Sequence, residues 1–343
     1  MPVINDCLAV HPAVLTDPDR LWRRMFPIDT VGGDVSEVIK AINEYLPERL
    51  VYAEGDSWFD KFTPLPSSGT NLLDAIRTPF MTAVVDVAHI GDEARDMVRG
   101  HQARQTRAMF KLFSFNAILL SAGGNDLKNV FADLFDTKAS ANDGFTSTFQ
   151  NKDLSRLAHP ASYTEFFDEV VRNIGRFIDL RNSAKDPVTR AAPIFVHGYD
   201  YLQPRPAQAN IFTLTRGGPG PWLHKPLKAA GLSDEQMRAA TDAVVDEMNR
   251  QLAQVIAPLP NVHVIDQRGL LTPAEPGTTG QNADWLDEIH PSKEGFNKLA
   301  RNRWDVPLSR ALGWQPAAGE VVPALAPSNR STALSHPAGN ELA

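Results

Sequence analysis

Cysteine and long apolar segments are almost absent from this sequence. Its 343 residues include one cysteine, Cys7, so no disulfide can form within the chain. Cys7 lies in an N-terminal stretch without an obvious partner, and because a reactive thiol needs electropositive surroundings we expect it to be inert. No run of 18 apolar residues occurs, so the sequence predicts no transmembrane helix.

The first residues also lack the marks of an export signal. The stretch from residue 1 to residue 20 has neither a basic start nor an uninterrupted apolar core, so no classical signal peptide is predicted. A cytoplasmic location is the default expectation, and export by a route that needs no signal peptide stays open.

Basic residues are not concentrated anywhere along the chain. The sequence has 34 Lys and Arg against 41 Asp and Glu, a formal net charge of -7, and the two signs are mixed. A nucleic-acid surface needs a basic patch or stripe, and attraction to an anionic membrane needs a polybasic segment. We therefore expect neither partner, and the sequence leaves the oligomeric state open.

Metal-binding and phosphate-binding patterns are missing as well. Nine histidines are present, but no His-x-x-x-His or Cys-x-x-Cys spacing occurs. The segment Arg216-Gly217-Gly218-Pro219-Gly220 lacks the Gly-Lys-Ser/Thr ending and the strand–helix context of a P-loop. The sequence therefore predicts no metal and no cofactor.

Short apolar runs that end at turn residues are the main structural signal. Near-continuous apolar runs are typical of strands in a parallel sheet that is covered on both faces. Five such runs predict strands: Leu50–Ala53, Ala83–Ala88, Ala117–Ser121, Pro193–Val196 and Val262–Asp266.

Helical patterns alternate with these strands. They cover residues 93–112, 164–180, 233–256 and 292–305, and Pro307 is expected to mark a break or kink. The third begins with a capping box, Ser233 to Gln236. Alternating strands and helices predict a doubly wound α/β domain, in which ligands bind beyond the carboxyl ends of the strands.

A serine follows directly where the first predicted strand ends. In Gly55-Asp56-Ser57 the glycine permits a sharp turn, and the hydroxyl can project into the cleft. Gly-Asp-Ser is also ordinary turn chemistry, so the motif alone is a weak indication of catalysis.

A histidine that could activate this hydroxyl lies in Asp287-Glu288-Ile289-His290-Pro291. A serine is a poor nucleophile until a base takes its proton, and histidine suits that role. Asp287, three residues earlier, could orient the ring. Taken alone, the segment is equally explained as a surface turn with an aspartate helix cap.

Two further strand ends carry groups that could bind an oxyanion. Asn125 follows the third predicted strand in Gly123-Gly124-Asn125-Asp126, where a tight turn could place its amide over the cleft. Gly91 follows the second strand, and its backbone N–H could approach a substrate closely. An ordinary turn or helix start explains either one by itself.

In this order, these segments resemble the four conserved blocks of the SGNH hydrolases, also called GDSL lipases and esterases. The resemblance spans about Leu50 to Leu312. It implies a three-layer α/β/α sandwich, flavodoxin-like, with a central parallel sheet of about five strands. The residue after Ser57 is Trp58 rather than the leucine of the family name, so the resemblance does not fix the substrate.

The same resemblance implies a role for each motif residue. Ser57 would be the nucleophile, His290 the general base and then acid, and Asp287 the residue that orients His290. The oxyanion hole would combine the N–H groups of Ser57 and Gly91 with the side chain of Asn125.

The sequence also divides into parts. Residues 1–45 are an N-terminal extension, residues 46–314 the hydrolase domain, and residues 315–343 a flexible tail rich in Pro, Ala, Ser and Gly. Two long segments, 127–163 and 201–231, are predicted lids or loops beside the site. We expect their apolar side chains to form a wall over the cleft, with ordinary loop packing as the alternative: Phe131, Leu134, Phe135, Phe145, Phe149, Phe212 and Trp222.

The expected activity is hydrolysis of a carboxylic ester through an acyl-enzyme on Ser57. Trp58, His197 and Tyr199 are candidate substrate contacts, with a scaffold role as the alternative for His197. The apolar loops favour small-molecule acyl or lipid esters. A carbohydrate O-deacetylase or a thioesterase could use the same site, and a binding module on this scaffold is the non-enzymatic alternative.

Overall fold

The computed structural model describes residues 22–30, 34–60, 71–134, 160–209 and 218–316. Cys7 and the predicted tail beyond residue 316 lie outside these ranges. The strands are β1 Arg23–Arg24, β2 Phe26–Asp29, β3 Arg49–Gly55, β4 Arg77–Thr78, β5 Thr82–Asp86, β6 Ala117–Ser121, β7 Ile194–His197 and β8 Val262–Ile265.

Six of these strands form one parallel sheet in the order β2-β5-β3-β6-β7-β8. Without β2, the strands lie in the chain order 2-1-3-4-5, which is the flavodoxin-like arrangement. β1 and β4 pair separately as a short antiparallel ribbon. The α/β class and the parallel sheet predicted from the sequence are confirmed, with one strand more than expected.

The additional strand, β2, lies at the edge of the sheet and pairs with β5 from Phe26↔Ala83 to Asp29↔Asp86. Its sequence, Phe-Pro-Ile-Asp, offers no apolar run, so it was not predicted. Pro27 has no N–H to donate to a ladder, and an edge strand is where a sheet tolerates proline. Part of the segment assigned to the N-terminal extension thus belongs to the sheet.

Helices cover the sheet on both sides, and the described residues contain the following ones. They are α1 Val35–Tyr45, α2 Leu72–Ala75, α3 Ala94–Met97, α4 Gly100–Leu112, α5 Gly124–Val130, α6 Pro160–Asn182, α7 Pro187–Ala191, α8 His224–Ala229, α9 Asp234–Gln251, α10 Lys293–Leu299 and α11 Asp305–Ala311. A 3₁₀ turn spans Phe131–Leu134, and π-helical turns span Leu252–Ile256 and Ala300–Trp304.

Two predicted helices are interrupted. Residues 93–112 form α3 and α4, and the second begins at Gly100, whose φ of 55° is strained for any residue with a side chain. The last predicted helix is divided by the π-helical turn Ala300–Trp304, so the interruption precedes Pro307, which lies in the first turn of α11. The capping box of Ser233 and Gln236 is present at α9.

The segment 127–163 is helical where the structure describes it, since α5 and the 3₁₀ turn continue to Leu134 and α6 begins at Pro160. Phe131 and Leu134 are buried in the hydrophobic core, and neither is among the described residues that line the cleft. Both belong to helical turns that pack inward rather than to a loop. Phe135, Phe145, Phe149 and Phe212 lie outside the described residues.

The core lies on both faces of the sheet. All five residues of β6 are buried, and several large side chains of the sheet and of the helical segments that cover it are buried as well: Tyr52, Phe110, Phe177, Phe195 and Trp304. None of the helices in the described part of the chain is both long and apolar enough to span a bilayer.

Candidate active site

The site begins where β3 passes unusually close to β6. A Cβ on Gly55 would lie 2.6 Å from the Cβ of Ser121 and 2.8 Å from its carbonyl oxygen, so only glycine fits there. The N–H of Asp56 then donates to Ser121 O at 3.2 Å. This close approach brings Ser57 to the carboxyl edge of the sheet, where 8% of the residue is exposed.

Ser57 faces a histidine from the other end of the chain. Its Oγ lies 2.8 Å from Nε2 of His290. Nδ1 of His290 lies 2.8 Å from Oδ2 of Asp287, whose side chain is wholly buried. The structure brings the three side chains together in the order that the sequence predicts.

A tight turn explains how three residues of spacing place this ring on its carboxylate. Oδ1 of Asp287 accepts hydrogen bonds of 2.9 Å from the backbone N–H groups of both Ile289 and His290. The N–H of Leu286 donates to His290 O at 2.9 Å, and a guanidinium N–H of Arg205 donates to Asp287 O at 3.2 Å. The carboxylate is therefore fixed before any substrate binds.

The two candidate oxyanion donors differ in placement. Asn125 lies at the start of α5, lines the same cleft as Ser57, and donates from Nδ2 to Asp92 O at 3.1 Å. Gly91 has a φ of 97°, a conformation that favours glycine. Within the described residues its neighbour Ile90, rather than Gly91 itself, lines the cleft.

Asp56 holds a polar network next to Ser57 in the chain that the sequence motif did not reveal. Its Oδ1 accepts from the N–H of Trp58 at 3.0 Å and from Oγ of Ser121 at 2.6 Å, and its Oδ2 accepts from the Tyr199 hydroxyl. Burial raises the pKa of Tyr199 well above its usual range, so the phenol keeps its proton. The same hydroxyl accepts from the N–H of Gly124 at 2.8 Å, which joins the Ser57 turn to the start of α5.

His197 lies beneath this network. It is fully buried, and its Nε2 is 2.6 Å from Ser121 Oγ. Because Ser121 gives its proton to Asp56, Nε2 of His197 is the donor to Ser121. Burial lowers the pKa of His197, which favours the neutral ring. His197 is absent from the described lining of the cleft, so its placement matches the scaffold alternative.

Trp58 and Tyr199, the other two candidate substrate contacts, do line the cleft. The Trp58 indole stacks on His197 with ring centroids 5.0 Å apart. Its Nε1–H donates to Ile289 O at 3.1 Å, which ties the Ser57 turn to the His290 turn.

Two small hollows flank Ser57. The inner pocket, of ≈ 20 Å³, and the outer pocket, of ≈ 30 Å³, share four lining residues: Ser57, Asn125, Lys128 and Ile289. The described lining of the inner pocket also includes Trp58, Leu127, Tyr199, Leu202 and Leu223. That of the outer pocket adds Ile90, Trp222 and His290.

Glu288 joins the His290 turn to the wall of the cleft. The residue is fully buried, and its carboxylate accepts from three consecutive backbone N–H groups, those of Trp222, Leu223 at 3.2 Å and His224 at 2.6 Å. Burial raises the pKa of Glu288 to about 7 in spite of these bonds. Because the contact spans more than 60 residues, sequence reasoning missed it.

Two partly buried carboxyl groups directly follow the candidate oxyanion donors in the sequence, since Asp126 follows Asn125 and Asp92 follows Gly91. Oδ2 of Asp126 accepts from the N–H of Ala94 at 2.9 Å, and burial raises the pKa of Asp126 to about 7. Burial also raises the pKa of Asp92 to about 6. Within residues 22–30, 34–60, 71–134, 160–209 and 218–316, no group of three His, Cys, Asp or Glu side chains is arranged to hold a metal.

Comparison with known proteins found similarity only among solved structures; no family model and no curated protein matches the sequence. A carbohydrate acetylesterase family member from Sinorhizobium meliloti has 14% identity and a TM-score of 0.43, over 78% of this chain and 100% of that one. A lipase from a goat rumen metagenome has 16% identity and a TM-score of 0.41, over 78% and 98%. The aryl esterase of M. smegmatis has 11% identity and a TM-score of 0.41, over 76% and 97%.

Proposed function

We propose that the protein hydrolyses carboxylic esters through an acyl-enzyme on Ser57. The observation that carries this proposal is the unbroken hydrogen-bonded chain from Ser57 Oγ through His290 to Asp287, which opens on a cleft. A hydroxyl, a base and a buried carboxylate in this order are the working parts of serine-dependent acyl transfer.

In the first half of the proposed reaction, Ser57 Oγ attacks the carbonyl carbon while His290 Nε2 takes the hydroxyl proton. The tetrahedral intermediate then collapses. The bond from carbon to the alcohol oxygen breaks, and the alcohol leaves with the proton from His290. Asp287 stabilises the imidazolium in between, because its carboxylate lies 2.8 Å from Nδ1.

In the second half, water attacks the acyl carbon and gives its proton to His290. The bond to Ser57 Oγ breaks, the proton returns to Ser57, and the carboxylic acid leaves. The negative oxygen of both intermediates needs preorganised donors. We assign this role to the Asn125 amide and the Ser57 N–H, with the Gly91 N–H as the third donor.

The substrate we propose is an ester with a short acyl chain. A cavity needs ~10–15 Å³ to admit one water molecule. The inner and outer pockets, of ≈ 20 and ≈ 30 Å³, therefore suit a small group. The aliphatic and aromatic lining favours a simple acyl group over a sugar, with thioesters and sugar acetates as alternatives on the same site. Rates on p-nitrophenyl esters from acetate to decanoate, compared with acetylated xylan and an acyl thioester, would rank these classes.

The first test is Ser57→Ala, with the exposed Ser183→Ala as the matched control. We expect Ser57→Ala to lose p-nitrophenyl acetate turnover and labelling by a serine-directed phosphonate, while its circular dichroism spectrum is kept. Ser183→Ala should keep both activities. Undiminished turnover in Ser57→Ala would show that the nucleophile is wrong, whereas a wild-type protein without turnover or labelling would favour a binding module.

A further inference from the structure

Lys128 is a cation in the lining of the cleft that holds the proposed nucleophile. It lies on α5 three residues after Asn125, so the two side chains point to the same side of the helix. Lys128 lines both the inner and the outer pocket, and Ser57 lines both as well. It is the one lysine or arginine among the described residues that line them.

The described surroundings of the Lys128 ammonium group leave its N–H donors available for a ligand. Among the described residues no hydrogen bond or ion pair to Lys128 is found, and its Nζ lies 5.4 Å from the centre of the Trp222 ring. A cation over an aromatic face is attracted to it but keeps its N–H groups available. Burial lowers the pKa of Lys128, so its charged form lacks some of the solvation that water would supply.

The two acids that act electrostatically on Lys128, Asp56 and Glu93, already have other partners. Asp56 accepts from Trp58, Ser121 and Tyr199, as described above. The carboxylate of Glu93 is held by Arg95 Nε at 2.7 Å and by Asn129 Nδ2 at 2.5 Å. Neither carboxylate therefore takes up the donors of Lys128.

We propose that Lys128 binds an anionic oxygen group, a carboxylate or a phosphate, carried by the ester that Ser57 attacks. The inference rests on the proposed function and narrows its substrate class to negatively charged esters. Lys128 borders both pockets, so the anion could belong to the acyl or to the alcohol part, and the two positions are distinguished by experiment.

The test compares matched charged and neutral esters. For the acyl part, mono-p-nitrophenyl glutarate is compared with p-nitrophenyl valerate; for the alcohol part, 4-acetoxybenzoate with its methyl ester. A third pair, phenyl acetates with and without a 4-phosphate group, separates phosphate from carboxylate. The readout is the ratio of kcat/KM for the charged ester to that for its neutral partner.

For at least one pair, Lys128→Met should lower this ratio about tenfold, since methionine keeps the length of the side chain without its charge. Lys128→Arg should restore most of it. The exposed Lys111→Met is the control and should leave the ratio as in the wild type. High salt should lower the wild-type ratio and leave that of Lys128→Met unchanged.

The outcomes separate this inference from the proposed function. If the wild type cleaves neutral esters, loses this activity in Ser57→Ala, and yet shows the same ratio as Lys128→Met for all pairs, the anion site is overturned and the hydrolase stands. If no ester is cleaved, glutarate and phosphate titrations followed by NMR still test the site. Shifts near Trp222 that Lys128→Met abolishes would support it, and their absence in the wild type would overturn it.

Discussion

The carboxylate of Glu288 accepts a hydrogen bond of 2.6 Å from the backbone N–H of His224. Glu288 lies between Asp287 and His290 in the turn that carries the proposed base, and His224 begins α8. Trp222 and Leu223, which line the outer and inner pockets, donate to the same carboxylate. One buried side chain thus ties the turn that carries the proposed base to the part of the cleft wall formed by Trp222 and Leu223.

Replacing Glu288 should loosen that wall more than it disturbs the base. Glu288→Gln keeps one acceptor oxygen but turns an amide N–H₂ toward backbone donors. We expect a loss of about 2 kcal/mol in the free energy of unfolding, because buried N–H groups lose their acceptors. KM should rise several-fold with a smaller fall in kcat, since the Ser57–His290–Asp287 bonds do not involve Glu288.

Chemical denaturation and steady-state kinetics on p-nitrophenyl butyrate measure both effects. Glu294→Gln, an exposed change in the first turn of α10, is the control. Equal stability and equal KM in the two variants would show that the three backbone bonds do not hold the wall in solution.

Asp287→Asn should separate chemistry from binding. The asparagine oxygen can still accept the N–H groups of Ile289 and His290, so the turn is kept. The variant no longer stabilises the imidazolium and presents a neutral amide to Nδ1, so we expect kcat to fall on the order of 10²–10⁴-fold. KM should change by less than about threefold, and phosphonate labelling should slow in parallel with kcat. A fall in kcat/KM that comes only from a higher KM, with kcat preserved, would contradict an orienting role.

The local motifs of this site could be predicted because each is short and lies at a strand end or, for Asp287 to His290, just before α10. Gly55 to Ser57 and Asp287 to His290 need only a turn to present their side chains, and the parallel sheet brings the turns at its strand ends to one edge. The contacts that hold them are not local. Glu288 binds the backbone of residues 222–224, Trp58 donates to Ile289, and Lys128 lies over the Trp222 ring. The residue types alone do not predict these pairs, because the partners are far apart in the sequence.

Contacts between distant segments also explain where the structure differs from the sequence-based predictions. β2 was missed because the sheet supplies, through pairing with β5, the stability that Phe-Pro-Ile-Asp lacks by itself. Phe131 and Leu134 lie in a 3₁₀ turn that continues from α5 and are buried in the core, whereas the length and composition of the segment after Asn125 favour a loop over the cleft. His197 stands at a strand end, as a substrate contact would, yet the carboxylate network of Asp56 and Ser121 covers it.

Stability should fall as pH rises from about 5 to about 8. Burial raises the pKa of Asp126 and Glu288 to about 7, above the value near 4 of an unfolded chain. Between these values the folded state binds more protons than the unfolded state. The resulting stabilisation is complete below the unfolded pKa and is lost as pH rises through the folded pKa, by up to about 1.4 kcal/mol per pH unit for each group.

Urea unfolding at pH 5, 6, 7 and 8 tests this dependence. Asp126→Asn removes one of the groups, so its profile should be flatter than that of the wild type, whereas the exposed Asp179→Asn should follow the wild type. A wild-type free energy of unfolding that increases from pH 5 to pH 8 would show that Asp126 and Glu288 titrate near their usual values.

A methyl group at two different glycines should act in opposite directions. At Gly55 the added Cβ would lie 2.6 Å from Ser121 Cβ and 2.8 Å from Ser121 O, so β3 and β6 must separate. Gly55→Ala should cost about 1–3 kcal/mol. It should also reduce kcat sharply, because Ser57 follows two residues later and moves with the strand.

At Gly175, inside α6, a Cβ meets nothing within 4 Å. Gly175→Ala should therefore stabilise the protein by about 0.5–1 kcal/mol, through helix propensity, with turnover unchanged. Thermal unfolding and turnover of p-nitrophenyl acetate measured on both variants decide the matter: if Gly55→Ala were as stable and as active as Gly175→Ala, the close passage of β3 against Ser121 could not be what positions the nucleophile.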